Sequence, residues 1–237
     1  HTLILADKLV HASLIDGIRL AGSKCIRYRH NQYCQLERLL EQNANDYRMI
    51  VIAVESIYSM DGDVTDLRKL VQLKKKYDNV LLYVDEAHGI GVRGDNGLGL
   101  AEEQDCINDI DILIGTLGKA MASSGAYVVC RQVLRDYLVN KMRPFIFTTA
   151  LPPICMAWTI FLFRRLSDWK EKRNHLSKIS KAVQDAVAKQ EGESCMSVSQ
   201  SQIIPLLAGD SSRAIAMADY FQRKGFYVLP VRPPSVP

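Results

Sequence analysis

The sequence predicts an α/β protein built on a mostly parallel, doubly wound sheet. Short apolar segments that are typical of buried strands alternate along the chain with segments of helical spacing. Such alternation indicates parallel strands that are joined by helices covering both faces of the sheet. The composition agrees, because 48% of the 237 residues are hydrophobic and 24% are charged, which suits one large domain and part of a second.

The first half of the chain supplies the predicted sheet. Short apolar runs predict strands at residues 3–6, 25–28, 49–54, 80–84, 110–114 and 126–130. Helical spacing is found between them at residues 13–21, 33–41 and 66–77. In the last of these helices one face carries Leu67, Leu70, Val71 and Leu73. Each predicted helix can therefore cover neighbouring strands.

The second half of the chain is predicted to lie largely outside this sheet. A long helical run extends from residue 153 to about residue 190. A strand, a helix and a strand are predicted after it, at residues 203–207, 211–224 and 227–229. We therefore expect a large domain of residues 1–165 and part of a smaller domain of residues 166–237. The chain lacks an initiator Met and stops in a proline-rich extended run, so we expect both ends to be cut from a longer protein.

The composition argues against several classes of protein. The formal net charge of +4 is small, and no basic stripe is interleaved with aromatic residues, so nucleic acid is not an expected partner. The six cysteines are scattered without a C-x-x-C pair, which indicates neither a metal site nor a disulfide framework and favours a reducing cytoplasm. The longest apolar stretch, residues 154–163, is shorter than the roughly 20 residues that a membrane helix needs. No signal peptide is recognisable.

Polar residues follow two of the predicted strands. LLYVDEAHGIG (residues 81–91) and ILIGTLGKA (residues 112–120) each run from an apolar strand into polar residues and glycines. Because carboxyl ends of parallel strands meet at one edge of a sheet, we expect Asp85, His88, Thr116 and Lys119 to lie together. These groups suit pyridoxal phosphate: Lys119 would bind the cofactor covalently, and Asp85 would keep its pyridine nitrogen protonated, so that the ring can accept electrons.

A helicase is the first alternative, because DEAH (residues 85–88) is typical of a Walker B strand. Such a motor also needs a phosphate loop of the form G-x-x-x-x-G-K-[ST]. Leu113 stands six residues before Lys119, and Ala120 follows it, so the loop pattern is not met there. The ATPase interpretation therefore lacks half of its site.

Two further alternatives concern the same region. Gly89, Gly91 and Gly94 match G-x-G-x-x-G, but residues 95–97 continue a loop where a dinucleotide fingerprint would open a helix. An Asp at a strand end with a nearby His is also often only a hydrogen-bonded structural pair. The presence of Lys119 favours a catalytic role for Asp85 over that structural explanation.

Six ordered segments of the chain resemble the α-oxoamine synthases at similar separations. These are fold-type I pyridoxal-phosphate enzymes, which condense an amino acid with an acyl thioester and release carbon dioxide. Within that family, TTALPP and the His-Gly pair after DEA favour members that join L-alanine to a pimeloyl thioester in biotin synthesis. The segments are HASLIDG (11–17), SMDGD (59–63), VDEAHG (84–89), GTLGKA (115–120), RPFIFTTALPP (143–153) and RPPSVP (232–237).

The resemblance implies a role for each matching residue. Lys119 would hold the cofactor covalently and act as the acid and base, and Asp85 would pair with the pyridine nitrogen. His88 and Ser59 would bind the ring hydroxyl region, and Thr116 would bind the phosphate. These assignments place the cofactor at the sheet edge that the strand pattern predicts.

Three more positions follow from the resemblance. His11 would stack on the ring and help to place the substrate, although from sequence alone it also fits a surface His at a helix N-terminus. Thr149 would reach the phosphate of the neighbouring subunit, which implies a homodimer with shared active sites, although a Thr here also fits a cap of the following helix. Ser235 stands where the family often has Thr near the substrate.

Several activities share these cofactor residues. Glycine C-acetyltransferase, 5-aminolevulinate synthase and serine palmitoyltransferase differ from the favoured reaction only in their acyl and amino-acid pockets. The acyl donor is expected to be a coenzyme A or acyl-carrier-protein thioester. A non-catalytic synthase subunit is a more remote alternative, because such a subunit is expected to lose the lysine that is present here as Lys119.

Overall fold

The computed structural model of the protein describes residues 1–191, 199–233, 235 and 236. The chain forms two compact units. The first comprises His1–Ser59 and Asp63–Leu176, and the second comprises Met60–Gly62 and Ser177–Pro237. The domain boundary expected between residues 165 and 166 remains a prediction.

The first unit contains a six-stranded sheet in the order β2-β1-β3-β4-β5-β6. All neighbouring strands are parallel except β5 and β6, which are antiparallel. The predicted mostly parallel α/β sheet is confirmed. The strands are β1 (Thr2–Asp7), β2 (Lys24–Tyr28), β3 (Met49–Glu55), β4 (Val80–Asp85), β5 (Ile112–Thr116) and β6 (Ala126–Cys130).

Helices lie between most of these strands. The cap of α1 is Gly22, whose φ of +61° is a left-handed conformation that glycine adopts without strain. Asp66 caps the start of α3 by accepting a hydrogen bond of 2.9 Å from the Lys69 amide. The helices are α1 (Ala12–Ala21), α2 (Tyr33–Asn43), α3 (Leu67–Lys74), α4 (Leu100–Glu103), α5 (Gln132–Lys141), α6 (Arg143–Ile146), α7 (Pro153–Arg165), α8 (Lys170–Glu191) and α9 (Ser211–Arg223).

Alternate strand residues point to opposite faces of the sheet, and both faces are covered. On one face the strands pack with α2 and α3, through Leu3, Leu5, Ile50, Ile52, Leu82, Leu36, Leu40, Leu67 and Leu70. On the other face they pack with α1, through Ile4, Ala6, Ala53, Leu14, Ile15 and Ile18. Burial on both faces explains why the strands are short apolar runs in the sequence.

Some sequence predictions are wrong. The strands expected at residues 203–207 and 227–229 are absent, and of that predicted series only the helix, α9, forms. A strand needs a hydrogen-bonding neighbour, and neither segment has one within the described residues. The segment of residues 143–153, whose apolar sequence is also typical of a loop between two helices, contains the short α6. The long helical run predicted from residue 153 is interrupted by a 3₁₀ turn at Ser167–Trp169.

Two further findings concern a membrane-spanning helix and a metal site. In the described part of the chain, no helix has both the length and the apolar character needed to span a bilayer. Across the same residues, no group of three or more His, Cys, Asp or Glu side chains is arranged to hold a metal ion. Five cysteines are free thiols, and the sixth, Cys195, lies outside the described residues.

Candidate active site at the carboxyl edge of the sheet

Four neighbouring parallel strands end in polar residues at one edge of the sheet. β1, β3, β4 and β5 end at Asp7, Glu55, Asp85 and Thr116. The register places Glu55 directly beside Asp85. The loops that follow these strands carry His11, Ser59, His88 and Lys119. The structure therefore brings most of the predicted site residues to one edge of the first unit.

Asp85 is a buried carboxyl group at the end of β4. Its Oδ1 atom accepts a hydrogen bond of 2.8 Å from the Ala87 amide. Burial raises the pKa of Asp85, and the Ala87 amide and the positive charges of Lys119 and His11 oppose that rise. The carboxyl group is thus desolvated, held by its own turn and close to a cation.

His88 follows in the same turn and is half-buried. Burial, together with the nearby charges of Lys119 and His11, lowers the pKa of His88 to about 4. The imidazole is therefore neutral at neutral pH, with one nitrogen that donates and one that accepts. A neutral ring suits a hydrogen bond to a ligand hydroxyl.

The loop that carries Lys119 joins the antiparallel strands β5 and β6. Its ends are tied together by hydrogen bonds from the Leu117 amide to the Gly125 carbonyl (2.9 Å) and from the Ser123 amide to the Leu117 carbonyl (2.8 Å). Leu117 and Met121 are buried in a small apolar cluster beneath the loop, whereas Lys119 is exposed. The loop is therefore anchored on both sides of its lysine, whose charge acts on Glu55, Asp85 and His88.

Thr116 closes β5 just before this loop. Its Oγ1 atom is buried and has no hydrogen-bond partner within the described residues. A buried hydroxyl without a partner is costly, and native structures rarely leave one. The hydroxyl is therefore available to a ligand at this edge.

His11 begins α1 and is exposed. Its Nδ1 atom accepts a hydrogen bond of 3.2 Å from the Ser13 amide, which makes it the helix cap, and lies 2.8 Å from Ser13 Oγ. Its backbone amide donates to Glu55 Oε1. His11 is thus a surface helix cap and a residue of the carboxyl edge at the same time. Ser59 is half-buried in the loop after β3, and its role remains a prediction.

Glu55, like Asp7, is a residue of this edge that the sequence analysis did not identify. Its side chain is 3% exposed. Burial, together with the negative charge of Asp85, raises the pKa of Glu55 to about 8. The available signal was the run MIVIAVE (residues 49–55), which ends in a carboxylate just as LLYVD (residues 81–85) does.

The last two predicted site residues, Thr149 and Ser235, belong neither to the strand ends nor to the loops that directly follow them. Thr149 is exposed in the segment between α6 and α7. That segment reaches the Lys119 loop, because a Cβ atom placed on Gly125 would lie 2.7 Å from Leu151 Cδ1. Ser235 belongs to the second unit, where its amide donates to the Arg232 carbonyl over 3.0 Å, and its role stays a prediction. Pro234 and Pro237 of the same motif lie outside the described residues.

The glycine-rich loop after β4 packs around the protein's own carboxyl groups. The buried Glu86 accepts hydrogen bonds from Ser56 Oγ (2.6 Å) and the Ala101 amide (2.7 Å). A Cβ atom on Gly89 would overlap Glu86 Oε2, and one on Gly94 would overlap Glu102 Oε2. The glycines are therefore required by internal packing, which argues against the dinucleotide interpretation.

Comparison with known proteins gives a consistent result. Residues 1–237 match the family model of aminotransferase class I and II. The 8-amino-7-oxononanoate synthase of Haemophilus ducreyi is 54% identical over 100% of the chain and 62% of its own length. The chain thus spans less than two thirds of that relative.

Two solved structures are also similar. Serine palmitoyltransferase of Sphingomonas wittichii has a TM-score of 0.85 and 29% identity, over 100% of this chain and 59% of its own. The 8-amino-7-oxononanoate synthase of Francisella tularensis has a TM-score of 0.79 and 29% identity, over 97% of this chain and 65% of its own. The predicted fold type agrees with both.

Proposed function

Because the chain belongs to the aminotransferase class I and II family, we propose that it carries the active site of a pyridoxal-phosphate-dependent α-oxoamine synthase. The observation that carries the proposal is the placement of Lys119, on an anchored loop at the same edge as the buried Asp85. Residues 1–165 would form the cofactor-binding domain, and residues 166–237 would form part of a small domain.

The residues of the edge fit the cofactor. The hydroxyl of Thr116, which is buried and has no hydrogen-bond partner among the residues that the structure describes, suits a phosphate oxygen. Asp85 suits the pyridine nitrogen, and the neutral imidazole of His88, together with Ser59, suits the ring hydroxyl. Pyridoxal phosphate, when bound, supplies an electron sink that stabilises negative charge at Cα of the amino acid.

The side chains then divide the work of the reaction. Lys119 would hold the cofactor covalently, and its amine, when free, would remove the Cα proton of the amino acid and later return it. Asp85 keeps the proton on the pyridine nitrogen. His11 covers the ring and orients the substrate, and Ser235 contacts the substrate. Cα of the amino acid bonds to the thioester carbonyl carbon, the thiol leaves, and the carboxylate departs as carbon dioxide.

L-Alanine and a pimeloyl thioester, of coenzyme A or of an acyl carrier protein, are the substrates we favour, and 8-amino-7-oxononanoate, a biotin precursor, is the product. The TTALPP segment and the name of the Haemophilus ducreyi relative support this choice. The likeness to serine palmitoyltransferase supports the second candidate, a synthase of different acyl and amino-acid specificity, which is a serine palmitoyltransferase-like enzyme or a glycine C-acetyltransferase. A non-catalytic subunit is disfavoured by the presence of Lys119.

We propose in addition that the enzyme is a homodimer with shared active sites. The support is a continuous stretch of sequence, from β6 to α7, that leaves large apolar side chains exposed, which is typical of a surface that is covered by a partner. Thr149 lies within this stretch. A cytoplasmic location is supported by the free thiols. The exposed side chains include Val129, Val133, Tyr137, Phe145, Phe147, Ile154, Trp158 and Phe161.

A substrate matrix tests the proposal. The complete protein is assayed with alanine, glycine and serine against acetyl-, succinyl-, pimeloyl- and palmitoyl-coenzyme A, with thiol release and carbon dioxide as coupled readouts. We expect the highest kcat/KM for alanine with the pimeloyl donor. A preference for glycine with acetyl, or for serine with palmitoyl, would favour the second candidate. Absence of turnover with every pair, in protein loaded with the cofactor, would contradict the proposal.

A further inference from the structure

Glu55 connects two parts of the site that are far apart in the sequence. It is the last residue of β3, and its side chain accepts a hydrogen bond from the backbone amide of His11 at the start of α1. Its own carbonyl accepts a hydrogen bond of 2.7 Å from Thr65 Oγ1, which fixes the strand end on its other side. The side chain therefore ties the beginning of α1 to the end of β3.

The charged groups around Glu55 come from every element at this edge. They are Asp85 on β4, Asp7 on β1 and Lys119 on the β5–β6 loop. The neutral backbone amide of His11, directly before α1, donates to the carboxyl group. Because burial and the charge of Asp85 raise its pKa to about 8, Glu55 is mostly protonated at neutral pH. In that state it adds no second negative charge beside Asp85, yet its Oε1 atom still accepts from His11.

We propose that Glu55 is a positioning residue of the active site, which holds the imidazole of His11 beside Asp85 by accepting the His11 backbone amide. This inference rests on the function proposed above, in which His11 covers the cofactor ring. Nothing in the sequence pattern of either segment indicates the contact, because 44 positions separate the two residues.

Two variants distinguish the effect of the acceptor oxygen of Glu55 from the effect of its side-chain volume. Glu55→Met keeps the length of the side chain but offers no oxygen, and Glu55→Gln keeps the oxygen. Asp111→Asn is the matched control, because Asp111 accepts the Leu82 amide over 2.8 Å at the opposite edge of the same sheet.

The first readout needs no cofactor. Hydrogen exchange of the His11 amide is followed by NMR in the complete, cofactor-free protein with ¹⁵N-labelled histidine. We expect the exchange to be faster by about tenfold in Glu55→Met, because its acceptor is lost, and close to the unmodified rate in Glu55→Gln and in the control. Unchanged exchange of the His11 amide in Glu55→Met would overturn the proposal.

The second readout uses the loaded protein. Glu55→Met is expected to raise KM for the amino acid and to change the visible circular dichroism of the bound cofactor, and Glu55→Gln is expected to restore both. A variant that loses only stability would move neither signal once folded. Equal kinetics and equal spectra for the Met and Gln variants would count against a positioning role.

The unmodified protein supplies a test that does not depend on a variant folding. As Glu55 titrates, the amide proton shift of His11 should change with an inflection near pH 8. A shift that stays flat from neutral to strongly alkaline pH would overturn the contact. If the substrate matrix shows no condensation, the proposed function fails, while exchange and titration still decide whether Glu55 holds His11.

Discussion

The backbone amide of Ala87 donates a hydrogen bond of 2.8 Å to Asp85 Oδ1, so the turn after β4 fixes the orientation of the carboxyl group at its end. Asp85→Asn keeps the shape of the side chain but removes its charge. We expect turnover to fall by at least about 100-fold, because the protonated pyridine loses its partner, while part of the cofactor remains bound. The measurement is kcat and cofactor content on one preparation. Near-normal turnover would mean that Asp85 serves only to close its turn.

Lys119 is expected to be the covalent attachment point of the cofactor. Lys119→Ala should remove the visible absorbance of the lysine-bound cofactor and leave the circular dichroism of the backbone unchanged, because the side chain is exposed and the loop is anchored by its neighbours. Borohydride reduction followed by peptide mapping identifies the modified lysine. Lys8→Ala is the control, because Lys8 is an exposed lysine directly after β1 at the same edge. Label on any lysine other than Lys119 would contradict the assignment.

Much of this edge was predictable from the sequence because each piece is local. An apolar run that ends in Asp85 or Thr116 identifies both the strand and the point where it stops. Glu55 was not predictable in the same way, because a glutamate after an apolar run is equally typical of a solvated loop, and only its contact with His11 distinguishes the two. The strand expected at residues 227–229 failed for a related reason, since pairing depends on a neighbour that the segment itself does not specify.

Sharing of the active site between two subunits can be tested by mixing. In a dimer of one Lys119→Ala subunit and one Thr149→Ala subunit, a shared site predicts one site free of both changes and one site that carries both. Cofactor affinity should therefore be restored at half of the sites of the mixed dimers. Titration of the cofactor absorbance measures this affinity. A mixture that matches the average of the two parent variants would show that Thr149 serves its own subunit.

His30 is expected to stabilise the fold most strongly from weakly acidic to neutral pH, where its ring is protonated and its two carboxylate partners are charged. Its ring contacts Asp7 Oδ1 at 2.9 Å and Asp63 Oδ2 at 2.6 Å. Burial lowers the pKa of His30, but the hydrogen bonds and charges of the two carboxylates outweigh burial and raise it to about 10. Because the folded state holds the proton more tightly, this stabilisation is fully present below the unfolded pKa of about 6.5 and is lost as pH rises through about 10.

The variant His30→Gln tests this pH dependence. It should lower the free energy of unfolding by about 1–3 kcal/mol near neutral pH, and by less at strongly alkaline pH. Urea unfolding of both proteins at several pH values gives the difference. A difference that stays constant from neutral to strongly alkaline pH would show that the charge on His30 contributes nothing.

Gly99 is expected to tolerate no side chain. Its φ is +107°, and a Cβ atom would lie 2.5 Å from Glu86 Oε2. Gly99→Ala should therefore destabilise the fold by about 1–3 kcal/mol. Gly17→Ala in α1 is the matched control, because no atom lies within 4 Å of its added Cβ. The control should stabilise the helix by about 0.5–1 kcal/mol, and equal effects of the two changes in thermal unfolding would contradict the packing argument.

The packing of Gly89 and Gly94 against Glu86 and Glu102 changes what a glycine fingerprint can tell. In phosphate-binding loops, glycines let backbone amides come close to a bound anion. Here the amides of Ala101, Asn96 and Leu98 converge in the same manner on carboxyl groups that the chain itself provides. The spacing of the glycines thus indicates a loop whose backbone surrounds an acidic group. It does not indicate whether that group belongs to a ligand or to a side chain of the protein. A search for such a pattern gains specificity when it also asks whether a glutamate stands within reach of the loop.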